Sequence, residues 1–366
     1  MKKILFLFSV LVPMFIGAII GVASGFNPTV SAFGGLGVGV ITSLSMENGV
    51  LAAGISVTDI NAQLGAYFRK YSADIWRSIT TDLEFEQYMT KVSGVTDEYV
   101  IPSSSATELL QPFQSAYTTK GAVNFDAYIN KVRRIKMDYT LTADDIDKIS
   151  RSYTSFLYDE GKKPSEMPIV KYIIENHFID KIRVELNAMA GTGVYAAPTP
   201  GTAGASIAST DGILTKIAAE ILATNITPIV TGVLGASDTL TKTELFHDSL
   251  PSKFRSMPGV LFMSSTNALY YQRNYRTAFG GTNDQAAKGN LKLDQTKKEI
   301  IGLDCFEGSD RILFTPKNNL LCMYDKVYAP STFEVQQDKR DVNIFTDFHR
   351  GYGFGNLSEV FVNDQA

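Results

Sequence analysis

The chain has 366 residues, of which 45% are apolar and 20% are charged, and its net charge is −4. A chain of this length can bury a sizeable core and is expected to form two or three domains. Its mild negative charge argues against a protein that grips nucleic acid, which needs clustered Lys and Arg to neutralise phosphates. Cys305 and Cys322 lie in different predicted strands without a metal-type spacing, so we expect two buried thiols, or else a disulfide between neighbouring strands.

The amino terminus carries no charged residue from Ile4 to Met46. Residues 4–22 are apolar enough for a membrane helix or for the core of a signal peptide with a cleavage region at residues 22–25. A third interpretation is an unusual extension or a wrong start, with Met46 as the true first residue, because an ordinary soluble sequence begins there. The sequence alone leaves these interpretations open.

Residues 56–89 predict a helix that Asp59 caps, with apolar side chains at helical spacing. Residues 92–101 and 127–139 predict two strands joined by a polar tip over residues 102–124. Most hairpin loops have about two to five residues, so this long connection indicates a segment with a function of its own. The tip also holds four apolar side chains, Leu109, Leu110, Phe113 and Tyr117.

Three helices are predicted in the middle of the chain. Residues 142–160 form one, with Thr142 as its cap and Gly161 as its stop. Residues 168–190 form the longest, and residues 210–224 form a further amphipathic helix. The last third alternates short strands with one aromatic helix at residues 266–279; the strand candidates are residues 260–263, 299–305, 311–315, 319–324, 333–335, 341–345 and 359–362.

No catalytic, cofactor or metal site is predicted. The motif G-x-G-x-x-A at residues 191–196 closes a helix, whereas a dinucleotide site follows a strand and opens a helix. The histidines His177, His247 and His349 are scattered along the chain. The paired carboxylates at residues 144–145 lie in the first turn of a predicted helix, where the helix dipole accounts for them.

Two segments carry a resemblance to a known family. They are the helix end and Gly-Thr-Gly passage at residues 186–193, and the strand pair at residues 300–320. Together with the order of the elements, they resemble the major capsid proteins of tailed bacteriophages, whose fold is named after phage Hong Kong 97. The resemblance covers residues 55 to 366 and lies in element order more than in a sharp motif.

The resemblance implies an α+β Hong Kong 97-like capsid fold in which an arm, an extended loop, a peripheral domain with a long spine helix and an axial domain follow one another. The implied segments are an apolar leader at residues 1–45, the arm at 46–90, the extended loop at 91–140, the peripheral domain at 141–209 with the spine helix at 168–190, the axial domain at 210–330 and return strands at 331–366.

The function that the resemblance implies is that of a major capsid protein, not an enzyme. Such a chain assembles with itself into pentamers and hexamers of an icosahedral phage head. The implied partners are portal, scaffold and other head proteins, with only weak, non-specific contact to the enclosed double-stranded DNA. It needs no cofactor, and it is assembled in the host cytoplasm and located in the virion. The alternatives are an encapsulin-like compartment shell and, because of residues 4–22, a secreted or membrane-tethered binding protein.

The predicted contact residues between subunits lie in the extended loop and on its return strand. Lys131, Arg133, Arg134 and Lys136 form a basic run there, which is expected to be a solvated face or a set of ion-pair partners for a neighbouring subunit. Some relatives link a loop lysine to an asparagine of a neighbour, and Lys120 has the right place, but no partner asparagine is marked and the role is not assigned. The candidates are Leu109, Leu110, Phe113, Tyr117, Lys131, Arg133 and Arg134.

Overall fold

The computed structural model describes residues 57–81, 83–106, 108, 110–121, 123–161, 167–280, 291–325 and 333–365. The apolar leader at residues 1–45, and with it the segment at residues 4–22, lies outside the described residues. The chain divides into two compact units. The first unit contains the residues up to Lys70 together with Asp138–His177 and Glu334–Ile344. The second contains Tyr71–Met137, Phe178–Phe333 and Phe345–Ala366.

The first helix, α1, is shorter than its sequence suggests. It spans Val57–Thr81, and a short 3-10 helix follows at Glu86–Tyr88. The prediction of one helix over residues 56–89 is therefore wrong at its end. Asp59 is not the cap, because the helix has already begun at Val57. Inside α1 the apolar positions face inward as predicted, and Leu64, Phe68 and Ile79 are buried.

The second helix, α2, confirms its predicted caps. It spans Ala143–Glu160, and the Thr142 hydroxyl accepts a hydrogen bond from the backbone N–H of Asp145. Gly161 ends it in the left-handed region, at a φ of 61° that glycine adopts without a steric penalty. The Thr142 hydroxyl also donates to the Asp145 carboxylate, and this bond is the main reason that the pKa of Asp145 is lowered.

The predicted spine helix is present, but it is not regular. It runs through α3 (Ile169–Ile173), a π-helical turn (Ile174–Ile179) and α4 (Asp180–Thr192). Pro168 is its N-cap, and Gly193 follows its last turn. His177 lies exposed within the π turn, and the centres of its ring and the Tyr172 ring are 5.6 Å apart in an edge-to-face arrangement.

Among the described residues, four further helices lie in the second unit. The aromatic helix α8 begins at the predicted place, where the Ser264 hydroxyl caps it by accepting from the N–H of Asn267. The helices α6 and α7 were not predicted. The four are α5 (Ile213–Leu222), α6 (Thr239–Asp248), α7 (Ser252–Ser256) and α8 (Ser265–Phe279).

The strands within the described ranges form three sheets. The order of the first sheet is β1-β8-β10-β4, with β9 also paired to β10. The second sheet has the order β11-β7-β5-β6, and the third is the hairpin β2-β3. The strands are β1 (Thr90–Ser93), β2 (Glu98–Ala106), β3 (Val123–Lys131), β4 (Arg133–Leu141), β5 (Gly259–Ser264), β6 (Lys298–Leu303), β7 (Leu313–Phe314), β8 (Leu320–Tyr324), β9 (Glu334–Asp338), β10 (Asp341–Phe354) and β11 (Phe361–Val362).

Several strand boundaries differ from their predictions. The hairpin strands β2 and β3 extend into the predicted polar tip, which is therefore limited to residues 107–122 instead of 102–124. The predicted return strand is two strands, because the ladder breaks at Val132 between β3 and β4. At the carboxyl end, β10 continues to Phe354, well beyond the predicted stop at residue 345.

The first unit has an aromatic core between α2 and α3. The rings of Tyr153 and Phe156 lie 5.6 Å and 5.0 Å from the ring of Tyr172. The Tyr153 hydroxyl donates to the Met167 carbonyl at 2.7 Å, so its buried polar atom is satisfied. This packing holds α2 against the beginning of the spine helix.

The second unit has its main core around the second sheet. Buried side chains from β5, β6 and β7 meet those of α6 and α8, and together they form one apolar cluster. Next to it, Phe85 packs edge to face on Phe262 at 5.4 Å and on Phe306 at 5.1 Å. The chain's single tryptophan, Trp76, stacks on Phe333 at 5.6 Å in the same unit.

Candidate assembly surface

The hairpin β2-β3 belongs to the second unit. Its strands pair in antiparallel register from Glu98 with Lys131 to Ala106 with Val123. At its base, Tyr99 and Ile101 pack against a small apolar cluster of the first sheet. Two-stranded hairpins are marginally stable by themselves in water, so a hairpin of this length needs a surface to lie against.

The tip of the hairpin is held in shape by its own polar side chains. Lys120 pairs with Glu108 at 2.7 Å and donates to the Leu110 carbonyl at 2.8 Å. The side chain of Gln111 donates to the Thr118 carbonyl at 2.9 Å. These bonds close the tip across its width, so Lys120 has a structural role there.

The apolar side chains of the tip face away from the chain. Leu110 is 88% exposed, Phe113 is 96% exposed and Tyr117 is 92% exposed. Leu109, the fourth predicted residue, lies outside the described residues. A tip that exposes several large apolar groups close together in sequence is typical of a surface that another molecule covers.

The predicted basic run has partners within its own unit. Lys131 pairs with Glu98 across the hairpin at 3.7 Å. The guanidinium of Arg133 lies 3.8 Å from the centre of the Tyr195 ring, and Arg134 pairs with Asp347. The structure therefore brings these three cations to the base of the hairpin, away from the tip, and their predicted contact with a neighbouring subunit stays a prediction.

A group of polar side chains between β3 and α5 was not predicted from the sequence. Burial and the nearby Glu220 carboxylate raise the pKa of Tyr128, which lies on β3. Burial lowers the pKa of Lys216 on α5, while Asp211 and Glu220 oppose that shift. The Asn225 amide donates to Glu220 at 2.7 Å. Tyr128 is far from the other groups in sequence, so only the tertiary fold could place it beside Glu220.

The Gly-Thr-Gly passage joins the end of the spine helix to the residues before α5. The Gly193 carbonyl accepts from the N–H of Gly212 at 2.8 Å and from the Thr215 hydroxyl at 2.6 Å. A Cβ placed on Gly191 would meet the Cys305 carbonyl, so the close approach requires glycine. The passage ends a helix, as predicted, which is the wrong context for a dinucleotide site.

Both cysteines are buried free thiols, which confirms the first of the two alternatives drawn from the sequence. Burial is the main cause that raises the pKa of each thiol, so neither is a reactive thiolate. The histidines lie on three different elements, in the π turn, on α6 and on β10. In the described part of the chain, no three His, Cys, Asp or Glu side chains gather as metal ligands would.

A helix must be both long and apolar to span a membrane, and none of the helices in the described ranges meets both requirements.

No protein-family model and no curated protein sequence matches the chain. Among solved structures, the chain is similar to a chain from the satellite phage P4 procapsid, a structure that includes the size determination (Sid) protein. The TM-score is 0.54 at 12% sequence identity, over 89% of this chain and 96% of that chain.

Two other structures are similar at a lower level. One is a virus-like particle from Pyrococcus furiosus, with a TM-score of 0.44 at 10% sequence identity, over 81% of this chain and 99% of that chain. The other is the capsid of the myovirus phage XM1, with a TM-score of 0.44 at 10% sequence identity, over 77% of this chain and 91% of that chain. The fold is therefore the Hong Kong 97-like capsid fold that the sequence resembles, and the procapsid match carries this conclusion.

Proposed function

We propose that this chain is a major capsid protein that assembles with itself into the pentamers and hexamers of an icosahedral phage head enclosing double-stranded DNA. The observation that carries the proposal is the fold shared with the procapsid chain over 89% of this chain and 96% of that chain. The outward-facing apolar tip of the hairpin supports it independently, because such a tip needs another molecule to cover it.

The tip gives a physical reason for assembly. Covering Leu110, Phe113 and Tyr117 on a neighbouring copy removes large apolar surfaces from water, and each fully buried side chain contributes about 1.5–3 kcal/mol. The internal bonds of Lys120 and Gln111 set the shape of the tip beforehand, so less conformational entropy is lost on docking. Every copy in a shell repeats the same contact.

The contact is between different surfaces of identical chains, so it can be repeated from one copy to the next and closes into rings when the rotation allows. We assign the extended loop to residues 91–140, the peripheral domain to residues 141–209, the axial domain to residues 210–330 and the return strands to residues 331–366. The arm then takes residues 46–90. Portal, scaffold and other head proteins are further proposed partners.

The charge of the chain fits a shell that encloses DNA without gripping it. Its net charge is −4, and the cations at the base of the hairpin are paired with Glu98 and Asp347 or stacked on Tyr195. Tight neutralisation of phosphates needs clustered free cations. We therefore propose weak, non-specific contact with packaged DNA, assembly in the host cytoplasm and a final place in the virion.

The test is to produce the full chain, and in parallel a version that begins at Met46, and to examine both by electron microscopy and sedimentation. We expect closed shells built of rings. A strictly monomeric product, with and without co-produced scaffold and portal proteins, would contradict the proposal. The contents of purified shells then identify their role, because packaged DNA supports a phage head and an enclosed enzyme would indicate a compartment.

A second measurement concerns the amino terminus. Mass spectrometry of the mature protein distinguishes a start at Met46 from cleavage near residues 22–25 and from an intact apolar segment. A start at Met46 or an unprocessed chain inside shells agrees with a capsid protein. Export and cleavage, without shells, would favour an envelope protein instead.

A further inference from the structure

Two glycines of β10 form a notch that receives the base of the hairpin β2-β3. We call Gly351 and Gly353 the glycine notch; they are two positions apart on one strand, so they lie on the same face of the sheet. A Cβ on Gly351 would lie 2.6 Å from the Lys131 carbonyl oxygen and 3.0 Å from the Cα of Val132. A Cβ on Gly353 would overlap the side chain of Asn130. The last residues of the hairpin therefore lie directly on the backbone of β10.

Asn130 fills this notch, and it is polar although its side chain does not reach water. It is completely buried, and its Nδ2 atom donates to the Phe354 carbonyl at 3.0 Å. Its Oδ1 atom accepts no hydrogen bond from the residues that the structure describes, and it lies against the backbone of Gly353. A buried oxygen without a partner costs free energy that an apolar side chain of the same shape would not. A hydrogen bond does fix an angle, whereas apolar packing does not, so the amide supplies direction.

The other contacts at the base of the hairpin define its direction less closely. Tyr99 and Ile101 pack against the small apolar cluster of the first sheet, and apolar contacts are non-directional. The N–H of Val132 donates to the Asp97 carbonyl at 2.6 Å, and this bond joins the two sides of the hairpin to each other just beyond the paired strands. The Asn130 amide adds a directed bond from the hairpin to a strand outside it.

The direction of the base matters because the hairpin is long. Residues 123–130 of β3, at about 3.3 Å per residue, carry the chain roughly 23 Å from Asn130. Over that length a tilt of about 10° at the base displaces the far end by roughly 4 Å, which is the contact distance between two carbon atoms. Leu110, Phe113 and Tyr117 lie beyond that end. A base that tilts freely would therefore move the tip away from a surface shaped to receive it.

We propose that Asn130 is a positioning residue for assembly: its bond to β10 within the glycine notch fixes the direction of the hairpin, and so fixes where the apolar tip meets a neighbouring copy. The inference rests on the proposed function, since it needs a chain that assembles with itself. It deepens that function by assigning a role to a residue that is buried in its own subunit and acts through the hairpin. A direction that is fixed in advance also reduces the conformational entropy lost on docking.

The first test is Asn130→Leu in the full chain, because leucine has nearly the shape of asparagine but no hydrogen-bond donor. The subunit should stay folded with a melting temperature within a few degrees of the wild type, since one neutral hydrogen bond contributes little net stability. A hairpin that must be ordered on docking should weaken each contact by roughly tenfold, so the yield of closed shells should fall by at least that factor. The matched control is Glu98→Gln, which breaks the surface pair with Lys131 at the same base and should assemble normally.

The second test restores the direction without the amide. In the double variant Asn130→Cys with Gly353→Cys, the two Cβ atoms would be 3.3 Å apart, close to the roughly 3.5–4.5 Å of a disulfide. The oxidised double variant should give most of the wild-type yield, whereas the same sample reduced before assembly should lose yield as Asn130→Leu does. Cys305 and Cys322 are buried, so a count of reactive thiols shows whether the new disulfide has formed.

The outcomes separate positioning from a purely structural role, with Trp76 fluorescence as the measure of folding because that ring is buried. Normal assembly of Asn130→Leu, or a loss of yield that comes with a large loss of stability, would overturn the positioning role while the proposed function stands. A double variant that forms its disulfide and still fails to assemble would also overturn it. If no disulfide forms, the yield and stability of Asn130→Leu decide by themselves. If the wild type forms neither rings nor shells, the proposed function fails and this inference fails with it.

Discussion

Buried charges of the second unit are held by a few specific contacts. Arg350 lies 3.1 Å from Glu86, and both side chains are buried. The Nη2 atom of Arg350 and the Oε2 atom of Glu86 are close enough for an ion pair, but they are not aligned as a hydrogen bond. The second oxygen of Glu86 accepts from the Tyr352 hydroxyl at 2.8 Å, and burial followed by the charge of Glu86 raises the pKa of Tyr352.

We expect Arg350→Met to destabilise the chain strongly, because it leaves Glu86 buried without its counter-charge. Breaking one side of a buried ion pair typically costs about 3–5 kcal/mol. The double variant Glu86→Gln with Arg350→Met removes both charges, so it should lower the free energy of unfolding clearly less than Arg350→Met does. Urea unfolding, monitored by Trp76 fluorescence, measures the free energy of unfolding of the single and the double variant. Equal stability of the wild type and Arg350→Met would show that the pair is not needed to hold the sheet.

Lys298 is a buried cation that has no carboxylate partner among the residues that the structure describes. Its ammonium donates to the carbonyls of Phe254 at 2.8 Å and Met257 at 3.1 Å, and it lies 3.5 Å from the centre of the Phe314 ring. Burial lowers the pKa of Lys298 to about 8. The folded chain therefore releases this proton at a lower pH than the unfolded chain does.

This difference gives a pH dependence with a definite sign. Between pH about 8 and the ordinary lysine pKa of about 10.4, the unfolded state binds the proton and the folded state does not, so stability rises with pH. In the wild type we expect the free energy of unfolding to rise by roughly 1–3 kcal/mol between these two pH values, and we expect Lys298→Met to abolish that rise. The control is Lys297→Met, because Lys297 is exposed and adjacent. Identical pH profiles for the two variants would contradict the assignment.

At the scale of elements, the junction of the spine helix with the residues before α5 depends on close backbone approach. A Cβ on Gly212 would lie 2.6 Å from the Met189 carbonyl oxygen, which belongs to rigid backbone. Overpacking of this kind costs about 1–3 kcal/mol. We therefore expect Gly212→Ala to lower the melting temperature clearly.

The matched control for that variant is Gly204→Ala. A Cβ there meets nothing within 4 Å, and the position has no positive φ. It should be neutral or slightly stabilising, since alanine restricts the unfolded chain. Calorimetry of the two variants side by side is the measurement. If Gly212→Ala is as stable as Gly204→Ala, the backbone at the junction can move apart to admit a Cβ without loss of stability.

Elements with strong local signals were predictable. Thr142 and Gly161 define α2, and the structure confirms both ends. The helix α6 was missed because its buried face includes Thr243 and His247, so the apolar pattern is broken by polar side chains. The π turn of the spine helix was missed for another reason, since its residues continue the helical pattern and only the backbone bonding changes.

Strand extensions depend on partners that lie far away in the sequence. The serines at residues 103–105 looked like part of a loop, yet they pair with residues 124–126 as part of β2. The second half of β10 contains Gly351 and Gly353, which weaken a strand signal. Gly353 is nevertheless required, because the side chain of Asn130 lies where its Cβ would be. Single-sequence patterns contain no information on such pairings.

At the scale of the whole molecule, the apolar tip was identified from the sequence and its internal organisation was not. A long polar connection with large apolar residues is visible in the sequence, and Leu110, Phe113 and Tyr117 are exposed as that interpretation requires. The clamp by Lys120 depends on the loop closing on itself. The position of Arg133 over Tyr195 likewise depends on the fold.

The tip provides the last prediction. The strands of the hairpin extend to Ala106 and resume at Val123, so residues 108–121 can be replaced by a short turn without cutting the paired region. We expect a folded chain that forms shells at a small fraction of the wild-type yield, because the covered apolar groups are gone. A finer variant replaces Leu110, Phe113 and Tyr117 by serine and keeps the Lys120 clamp intact. It should have the same effect.

Three measurements decide this prediction: circular dichroism for folding, sedimentation for the assembly state and electron microscopy for shells. The matched control is Tyr158→Ser on α2, which removes a comparable aromatic group that is 89% exposed. Normal shells from the serine variant would mean that the tip is not an interface. An unfolded product from the shortened chain would mean instead that the tip stabilises its own subunit. If only the tip variants lose assembly, these apolar side chains link one copy of the chain to the next.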